Sequence, residues 1–295
     1  MKSTKYIFSV LVIAGLTLIG CDKSTEATTD NSILLEDAAE SISAAMGDAS
    51  GGATETFADV TIASGGGSME TAAPVMDGAD RVNAGTPVYD SLTGWWFVSV
   101  NRSRGNGMMQ RTITREYRYQ YQKNNEVRKE YITNGDTATT LKFQIVSGTG
   151  TFSGPRMTHA LTTLKGAWTS SNIHKDTVTI TLDSNYVRAG TDTIRTRQLT
   201  RTHTGTMTIT AMNVRTLNYR PSLSSSWRTN FSNSISGTLS GRYTATITFE
   251  KGELYKERSV DREFTITVGG GTGSLNLGGN NGRFSIDMLN GQRKP

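Results

Sequence analysis

The sequence predicts an all-β protein whose antiparallel meander closes as a β-sandwich or an incomplete β-barrel. Apolar and polar side chains alternate with a period of two in several segments after residue 89, as in strands with one buried and one solvated face. The clearest segments are residues 177–182, 206–210, 243–250, 263–268 and 284–288. Turn residues separate them and no helical periodicity interrupts them, so successive strands are expected to pair as antiparallel neighbours.

The number of expected strands bears on how the sheet closes. Residues 89–295 hold roughly ten or more strand-like segments, and a sheet of that size curls or splits into two packed layers. Threonine is frequent at the solvated positions, as expected for exposed strand residues. Both the sandwich and the incomplete barrel therefore remain open.

Charge is divided unevenly along the chain. Residues 22–80 contain twelve acidic residues and one lysine, whereas residues 81–295 contain fourteen acidic and 28 basic residues. The net charges of the two segments are therefore −11 and +14. An acidic arm precedes a basic body.

We expect the arm, residues 21–88, to be a mostly disordered, flexible tether and residues 89–295 to form one basic all-β domain. The arm is rich in small residues and has a single aromatic residue, Phe57, before Tyr89. Such a composition buries little apolar surface, which favours disorder. Residues 32–46 are the exception, because their apolar side chains recur at helical spacing and acidic residues stand near the start. This short helix is expected to fray or to dock on the body, or else to bind a partner.

Residues 1–20 have the pattern of a secretory signal peptide. Two lysines precede an apolar run over residues 6–19, which is shorter than the roughly 20 residues that span a bilayer. The run leads into Leu18-Ile19-Gly20-Cys21, and Cys21 is the only cysteine of the chain. The position of this cysteine is the most specific local feature of the sequence.

The segment from Leu18 to Cys21 resembles the lipobox of bacterial lipoproteins, and the resemblance covers residues 1–21 only. In that family the cysteine receives a diacylglycerol and a fatty-acyl chain such as palmitate, and becomes the first residue of the mature protein. Two or more acyl chains hold a protein stably on a membrane where one chain does not. The resemblance implies lipidation at Cys21 and a membrane anchor in a bacterial cell envelope. We expect the outer membrane rather than the inner one, and the sequence leaves the membrane face open.

The sequence contains no motif of a catalytic centre or a metal site. Cys21 is the only thiol, and His159, His174 and His203 lie in separate segments without a second ligand at metal-binding spacing. A Gly-x-Ser-x-Gly elbow and a dinucleotide fingerprint are both missing. We therefore expect a non-enzymatic protein with no catalytic residues, no metal and no cofactor. An envelope hydrolase is an alternative, which would require buried, clustered acidic residues.

Arg195, Arg197, Arg201 and His203 are predicted to share one face of a strand. Guanidinium groups bind phosphate, carboxylate and sulfate well, so these four residues are candidate contacts for an anionic glycan or lipid of the envelope. Nucleic acid is not expected as a partner, because no nucleic-acid-binding motif is present. A simpler interpretation is that charges on exposed strands prevent pairing between sheets of different molecules.

The expected function is that of a lipid-anchored envelope protein whose non-enzymatic β domain binds an envelope ligand or surface. The main alternative is a carrier of lipid or lipoprotein, which requires an apolar concave sheet around an empty interior. The sequence does not indicate the ligand or the oligomeric state.

Overall fold

A computed structural model of the chain describes residues 23–48, 50–67, 80–105, 110–195, 200–220, 227–251, 254–278 and 282–294. Within these residues the predicted antiparallel all-β architecture is confirmed. Fourteen strands belong to one sheet, and a separate pair of strands forms a small hairpin. The large sheet is continuous through its hydrogen-bonded strands and is not closed into a barrel.

The described residues contain three helices and sixteen strands. The helices are α1 (Lys23–Met46), α2 (Ala53–Ser64) and α3 (Trp227–Ser234). The strands are β1 (Asp80–Ala84), β2 (Val88–Asp90), β3 (Trp95–Gly105), β4 (Gln110–Lys123), β5 (Glu126–Arg128), β6 (Ile132–Thr133), β7 (Asp136–Thr137), β8 (Thr140–Ser153), β9 (Met157–Ser171), β10 (Thr177–Arg195), β11 (Thr200–Leu217), β12 (Ser236–Lys251), β13 (Leu254–Gly269), β14 (Thr272–Asn276), β15 (Arg283–Asp287) and β16 (Gln292–Lys294).

The sheet is a meander in which chain neighbours are mostly sheet neighbours. Its order is β1-β3-β4-β8-β9-β10-β11-β12-β13-β14-β15-β16, with β2 added to β3 and β5 added to β4. The hairpin of β6 and β7 stands apart from this path. Turn-connected antiparallel pairing of this kind follows from short connections between consecutive strands.

The two faces of the sheet differ as the period-two pattern predicts. In β4, Arg111, Ile113, Arg115 and Tyr117 are buried, and the residues between them are exposed. Successive side chains of a strand point to opposite faces, so one row lines the concave face and the other lies on the convex face. The concave face carries the core.

Irregular pairing accompanies the curl of the sheet. The pairing of β10 with β11 shifts register between Thr181 and Tyr186. The pairing of β10 with β9 shifts register in the same region, beginning after Leu182. Such bulges bend a strand and increase its twist. The long strands can therefore curve around the helices that fill the interior.

Helix α2 occupies that interior, and all of its residues are buried. Its side chains are mainly alanine, threonine and other small groups, so a helix of small diameter fits within the curl. The hydroxyl group of Thr61 donates a hydrogen bond of 2.6 Å to the carbonyl oxygen of Phe57, which satisfies a buried polar atom within the helix. Phe57 belongs to the same apolar cluster as the aromatic side chains of the sheet.

The described part of the acidic arm differs from the flexible tether expected for residues 21–88. The helix expected over residues 32–46 is present as the later part of α1, and α2 is an additional buried helix. Residues 41–48 are buried as well. Small residues bury little area on their own, yet those of α2 and of residues 41–48 fit against the sheet, which supplies the larger apolar groups.

Four aromatic side chains on consecutive strands form the centre of the core. Tyr117 on β4, Phe143 on β8, Trp168 on β9 and Tyr186 on β10 lie in sequence, with ring centroids 5.2, 6.2 and 5.8 Å apart. All four are buried. Tilted aromatic contacts at these separations stabilise a core beyond their area of burial alone.

Candidate functional site

An ion-pair cluster lies where α2 meets β3 and β4. We call Glu55, Asp59, Arg102, Arg111 and Arg115 the interior ion-pair cluster. Arg102 contacts both acids, with Nη1 3.1 Å from Glu55 Oε1 and Nη2 2.7 Å from Asp59 Oδ1. Arg111 lies 3.1 Å from Glu55, and Arg115 lies 2.9 Å from Glu55 and 3.1 Å from Asp59. The five residues are at most 6% exposed, so three guanidinium groups and two carboxylates are held away from water.

The geometry of the cluster follows from helix and strand periodicity. Glu55 and Asp59 are four residues apart on α2, so they share one face of the helix. Arg111 and Arg115 lie on the concave row of β4, and Arg102 is paired in register with Ile113 between them. Directly opposed residues share a face of the sheet, which brings the three arginines together opposite the two acids.

Backbone carbonyl groups between the two helices supply further acceptors. Arg111 donates to the carbonyl oxygen of Asp48 at 2.8 Å, and Arg115 donates to that of Gly51 at 2.8 Å. Arg188 on β10 also donates to the carbonyl oxygen of Gly51 at 2.8 Å. These carbonyls follow the C-terminal end of α1, where the helix dipole is negative. They help to offset the excess of arginines over the two acids.

The electrostatic environment keeps Arg102 charged and the neighbouring Tyr117 neutral. Burial lowers the pKa of Arg102, but the charges of Asp59 and Glu55 outweigh burial and raise that pKa well above its usual value. Burial raises the pKa of Tyr117, whose hydroxyl group donates a hydrogen bond to Asp59 Oδ2. Arg102 is therefore charged and Tyr117 neutral at ordinary pH.

This cluster attaches the N-terminal segment to the sheet. Glu55 and Asp59 have 0% exposure, so a substrate cannot reach their carboxylates in this structure. Each carboxylate is paired with guanidinium groups of the chain itself. We therefore assign the interior ion-pair cluster a structural role.

The arginine stripe predicted on one strand is instead divided between two strands. Arg195 ends β10 and is exposed, whereas Arg201 and His203 lie on β11. Arg197 lies outside the described residues. Ile194 is paired with Arg201 and Arg195 with Thr200, so Arg195 and Arg201 face opposite sides of the sheet. The prediction of a single shared face is wrong because a connection between strands separates the residues.

Arg201 and His203 contact an acid of the chain itself. The Nε atom of Arg201 lies 2.6 Å from Asp37 Oδ2 on α1, and His203 Nε2 lies 3.6 Å from the same oxygen. The hydroxyl oxygens of Ser41 and Tyr243 each lie 3.4 Å from His203 Nδ1. These two members of the predicted anion-binding set thus help to hold α1 on the sheet.

A second buried polar group lies beside this contact. His159 on β9 is hydrogen-bonded to Asp192 on β10, and both are 8% exposed. A cavity of about 20 Å³ lies between α1 and β9–β12, and its walls include His159, Arg188, Asp192 and Tyr243. That volume and those polar walls suit a single water molecule. His159 on β9 and His203 on β11 are both paired in register with Asp192 on β10, so the two histidines flank Asp192 on one face of the sheet. The sequence placed the histidines in separate strands but did not indicate this arrangement.

We expect a variant His159→Gln to weaken the dependence of stability on acidic pH. Burial, followed by the charge of Arg188, lowers the pKa of His159 in the folded chain, and Asp192 only partly opposes them. In the unfolded chain a histidine has a pKa of about 6.5. As the pH falls, His159 therefore binds a proton in the unfolded chain before it does so in the folded chain, and the free energy of unfolding decreases. Denaturant unfolding between about pH 7 and pH 5 should show this loss, with a slope of up to about 1.4 kcal/mol per pH unit.

The exposed histidine His174 provides the control for this measurement. His174→Gln should retain the slope of the unaltered protein, and His159→Gln should have a smaller one. Equal slopes for the two variants would contradict the assignment of the pH dependence to His159.

An open cleft of about 460 Å³ lies between the β8–β9 turn, the β15–β16 turn and α1. Arg156, Arg293 and Glu40 supply its charged groups, and Phe152 and Met157 supply much of its apolar wall. Burial raises the pKa of Glu40, and Arg293 and Arg156 partly oppose that rise. The size suits a small molecule with an anionic group and an apolar part. The sequence could not indicate this cleft, because its walls come from three distant stretches of the chain.

Among the described residues, no group of three or more histidine, cysteine, aspartate or glutamate side chains is placed to hold a metal ion. In the same part of the chain, each helix is too short or too polar to cross a membrane. Comparison with protein-family models, with curated proteins and with solved structures finds no match to the chain. Cys21, the predicted lipidation site, lies outside the described residues.

Proposed function

We propose that the chain is a lipid-anchored protein of the bacterial cell envelope, whose non-enzymatic β domain binds an envelope surface or an anionic ligand. The lipid is attached to Cys21, at the end of the lipobox-like segment.

One observation supports this proposal above the others. Helix α1 begins at Lys23, two residues after Cys21, and its residues from Asp37 onward pack against the sheet. Its Asp37 pairs with Arg201, and its Glu36 lies 3.8 Å from Arg293. A lipid on Cys21 would therefore be joined to the core by a helix rather than by a long flexible leash.

The filled interior favours this proposal over a carrier of lipid or lipoprotein. A carrier requires an empty apolar concavity, whereas α2 occupies the concave side of the sheet and presents Glu55 and Asp59 to three arginines. The cleft beside Glu40 is the better candidate for a small anionic ligand. A hydrolase would need accessible acids, and the clustered acids of α2 are fully covered.

Replacing Cys21 with alanine should abolish lipid attachment. The thioether bond of the anchor requires a thiol, so Cys21→Ala should lose labelling by radioactive palmitate and should move from the membrane fraction to the soluble fraction or stay as unprocessed precursor. Labelling of whole bacteria, followed by immunoprecipitation and fractionation, measures both effects.

Thr17→Ala, in the apolar run before the cysteine, is a suitable control because it leaves the thiol in place. It should be labelled like the unaltered protein. Palmitate on the Cys21→Ala protein would refute the proposed anchor.

A further inference from the structure

The cleft beside Glu40 has an apolar lining that the fold builds without a ligand. Ala44 on α1 and Met157 at the start of β9 line the cleft, and both belong with Ile194 to a small apolar cluster of buried side chains. Phe152, which is half-buried, adds an aromatic ring to the same lining. An apolar group that enters the cleft would therefore meet a preformed surface.

The two arginines of the cleft belong to two different walls. Arg156 lies in the β8–β9 turn, where its carbonyl oxygen accepts a hydrogen bond of 2.8 Å from the backbone N–H of Arg195. Arg293 lies on β16, which is paired with β15, and its guanidinium group is 5.5 Å from the centre of the Phe284 ring. Both arginines are therefore carried by backbone that other strands hold in place.

The charged groups around the cleft are two bases and two acids. Arg293 lies 3.8 Å from Glu36. Arg156 is exposed, and neither Arg156 nor Glu40 forms an ion pair within the part of the chain that the structure describes. Burial raises the pKa of Glu40, and the charges of Arg293 and Arg156 partly oppose that rise, so both guanidinium groups are near this carboxyl group. A ligand with one anionic and one cationic group would complement the cleft better than an ion of a single sign.

We propose that this cleft binds a small zwitterion with an apolar side chain, which is the chemistry of a free amino acid or of a short peptide. Arg156 and Arg293 bind its carboxylate, because guanidinium groups form charge-assisted, paired hydrogen bonds with carboxylates. Glu40 accepts hydrogen bonds from its ammonium group, and the apolar side chain packs against Met157 and Phe152. The volume of about 460 Å³ lies in the range of roughly 300–1,000 Å³ that is common for small-molecule sites. The inference rests on the ligand site proposed above and narrows its anionic ligand to one whose carboxylate is accompanied by an ammonium group.

Calorimetric titration of the full-length protein with L-leucine and two analogues tests which groups of the ligand are bound. N-acetyl-L-leucine has no ammonium group, and L-leucinamide has no carboxylate. We expect L-leucine to bind, and each analogue to bind about tenfold more weakly, as for the loss of one hydrogen-bonded charged group. L-leucyl-L-leucine separates the two sources of the ligand, because tighter binding than that of L-leucine indicates a peptide and weaker binding indicates a free amino acid.

Substitutions in the cleft assign each group of the ligand to its residue. Arg156→Gln should weaken the binding of L-leucine about tenfold and leave that of L-leucinamide unchanged. Glu40→Gln should weaken the binding of L-leucine and should not weaken that of N-acetyl-L-leucine. Arg215→Gln removes an exposed arginine near the other end of β11 and should leave every affinity unchanged.

The outcomes separate this inference from the proposed function. Failure of both L-leucine and L-leucyl-L-leucine to bind at millimolar concentrations would overturn the inference. Binding of N-acetyl-L-leucine as tight as that of L-leucine would also overturn it, but would leave the anionic ligand proposed above. An unaltered protein that carries no palmitate would overturn the proposed anchor and would leave these affinities as measured.

Discussion

Replacing Asp59 with alanine should lower the free energy of unfolding by about 3–5 kcal/mol, because it leaves buried guanidinium groups without their counter-charge. Arg102 and Arg115 both pair with this carboxylate, and the hydroxyl group of Tyr117 donates to it. None of these groups can reach water without moving α2 out of the sheet. The shift of the midpoint in urea or guanidinium unfolding measures the loss.

The pair formed by Arg242 and Asp261 provides a matched control on the surface. Its closest atoms lie 2.5 Å apart, but the side chains are 57% and 52% exposed. Water and salt screen such a pair, so Asp261→Ala should cause only a small fraction of the change seen for Asp59→Ala. Similar effects of the two substitutions would show that the interior ion-pair cluster does not hold the helix.

Phe57→Ala should also lower the free energy of unfolding by about 3–5 kcal/mol, as expected when a large aromatic side chain is removed from a packed core. Phe57 is 1% exposed and belongs to the same apolar cluster as Tyr117, Phe143 and Trp168. The surrounding strands are held by their own pairing and can close only part of the resulting cavity. Thermal and denaturant unfolding both measure the effect.

Leu92→Ala is the control for Phe57→Ala, because Leu92 is 95% exposed. It should leave the unfolding midpoint almost unchanged. If residues 21–88 were a flexible tether, Phe57→Ala would behave like Leu92→Ala. The comparison therefore distinguishes a core helix from a tether.

The strands could be predicted from the sequence because their signal is local. The alternation over residues 177–182 and 243–250 corresponds to parts of β10 and β12, and every residue needed to see it lies within a few positions. The curvature of the sheet depends on the twist and the bulges of its long strands. These properties also decide whether the strands form one open sheet or two packed layers. Those properties leave no comparable pattern in the sequence.

Helix α2 could not be predicted from amphipathicity because it has no solvent-facing side. A helix that is buried all round lacks the contrast that makes a helical pattern visible. Two signals were nevertheless present in the sequence. Glu55 and Asp59 are spaced to share a helix face, and Arg111 and Arg115 alternate with apolar residues on the inward row of a strand. Charged residues at inward positions indicate that a partner of opposite charge lies inside.

The arginine stripe was misread for a different reason. Residues 196–199 contain no glycine, proline, asparagine or aspartate, so the usual signs of a turn are missing between β10 and β11. Without a turn signal, residues 195–203 look like one continuous strand. The partners of Arg201 and His203, Asp37 and Ser41, lie more than a hundred positions away and could be identified only from the structure.

The positions of the helices limit the order in which the chain can fold during its synthesis. The backbone N–H of Asp48 donates a hydrogen bond of 3.0 Å to the carbonyl oxygen of Met288, which is synthesised 240 residues later. Gly47 lies so near Gly291 that an added Cβ would be 2.1 Å from the Gly291 Cα atom. During synthesis from the N-terminus, the segment between α1 and α2 cannot form this contact until Met288 has been added to the chain. A ribosome or a secretion channel that stalls before residue 288 would therefore leave the earliest helices without this closing partner.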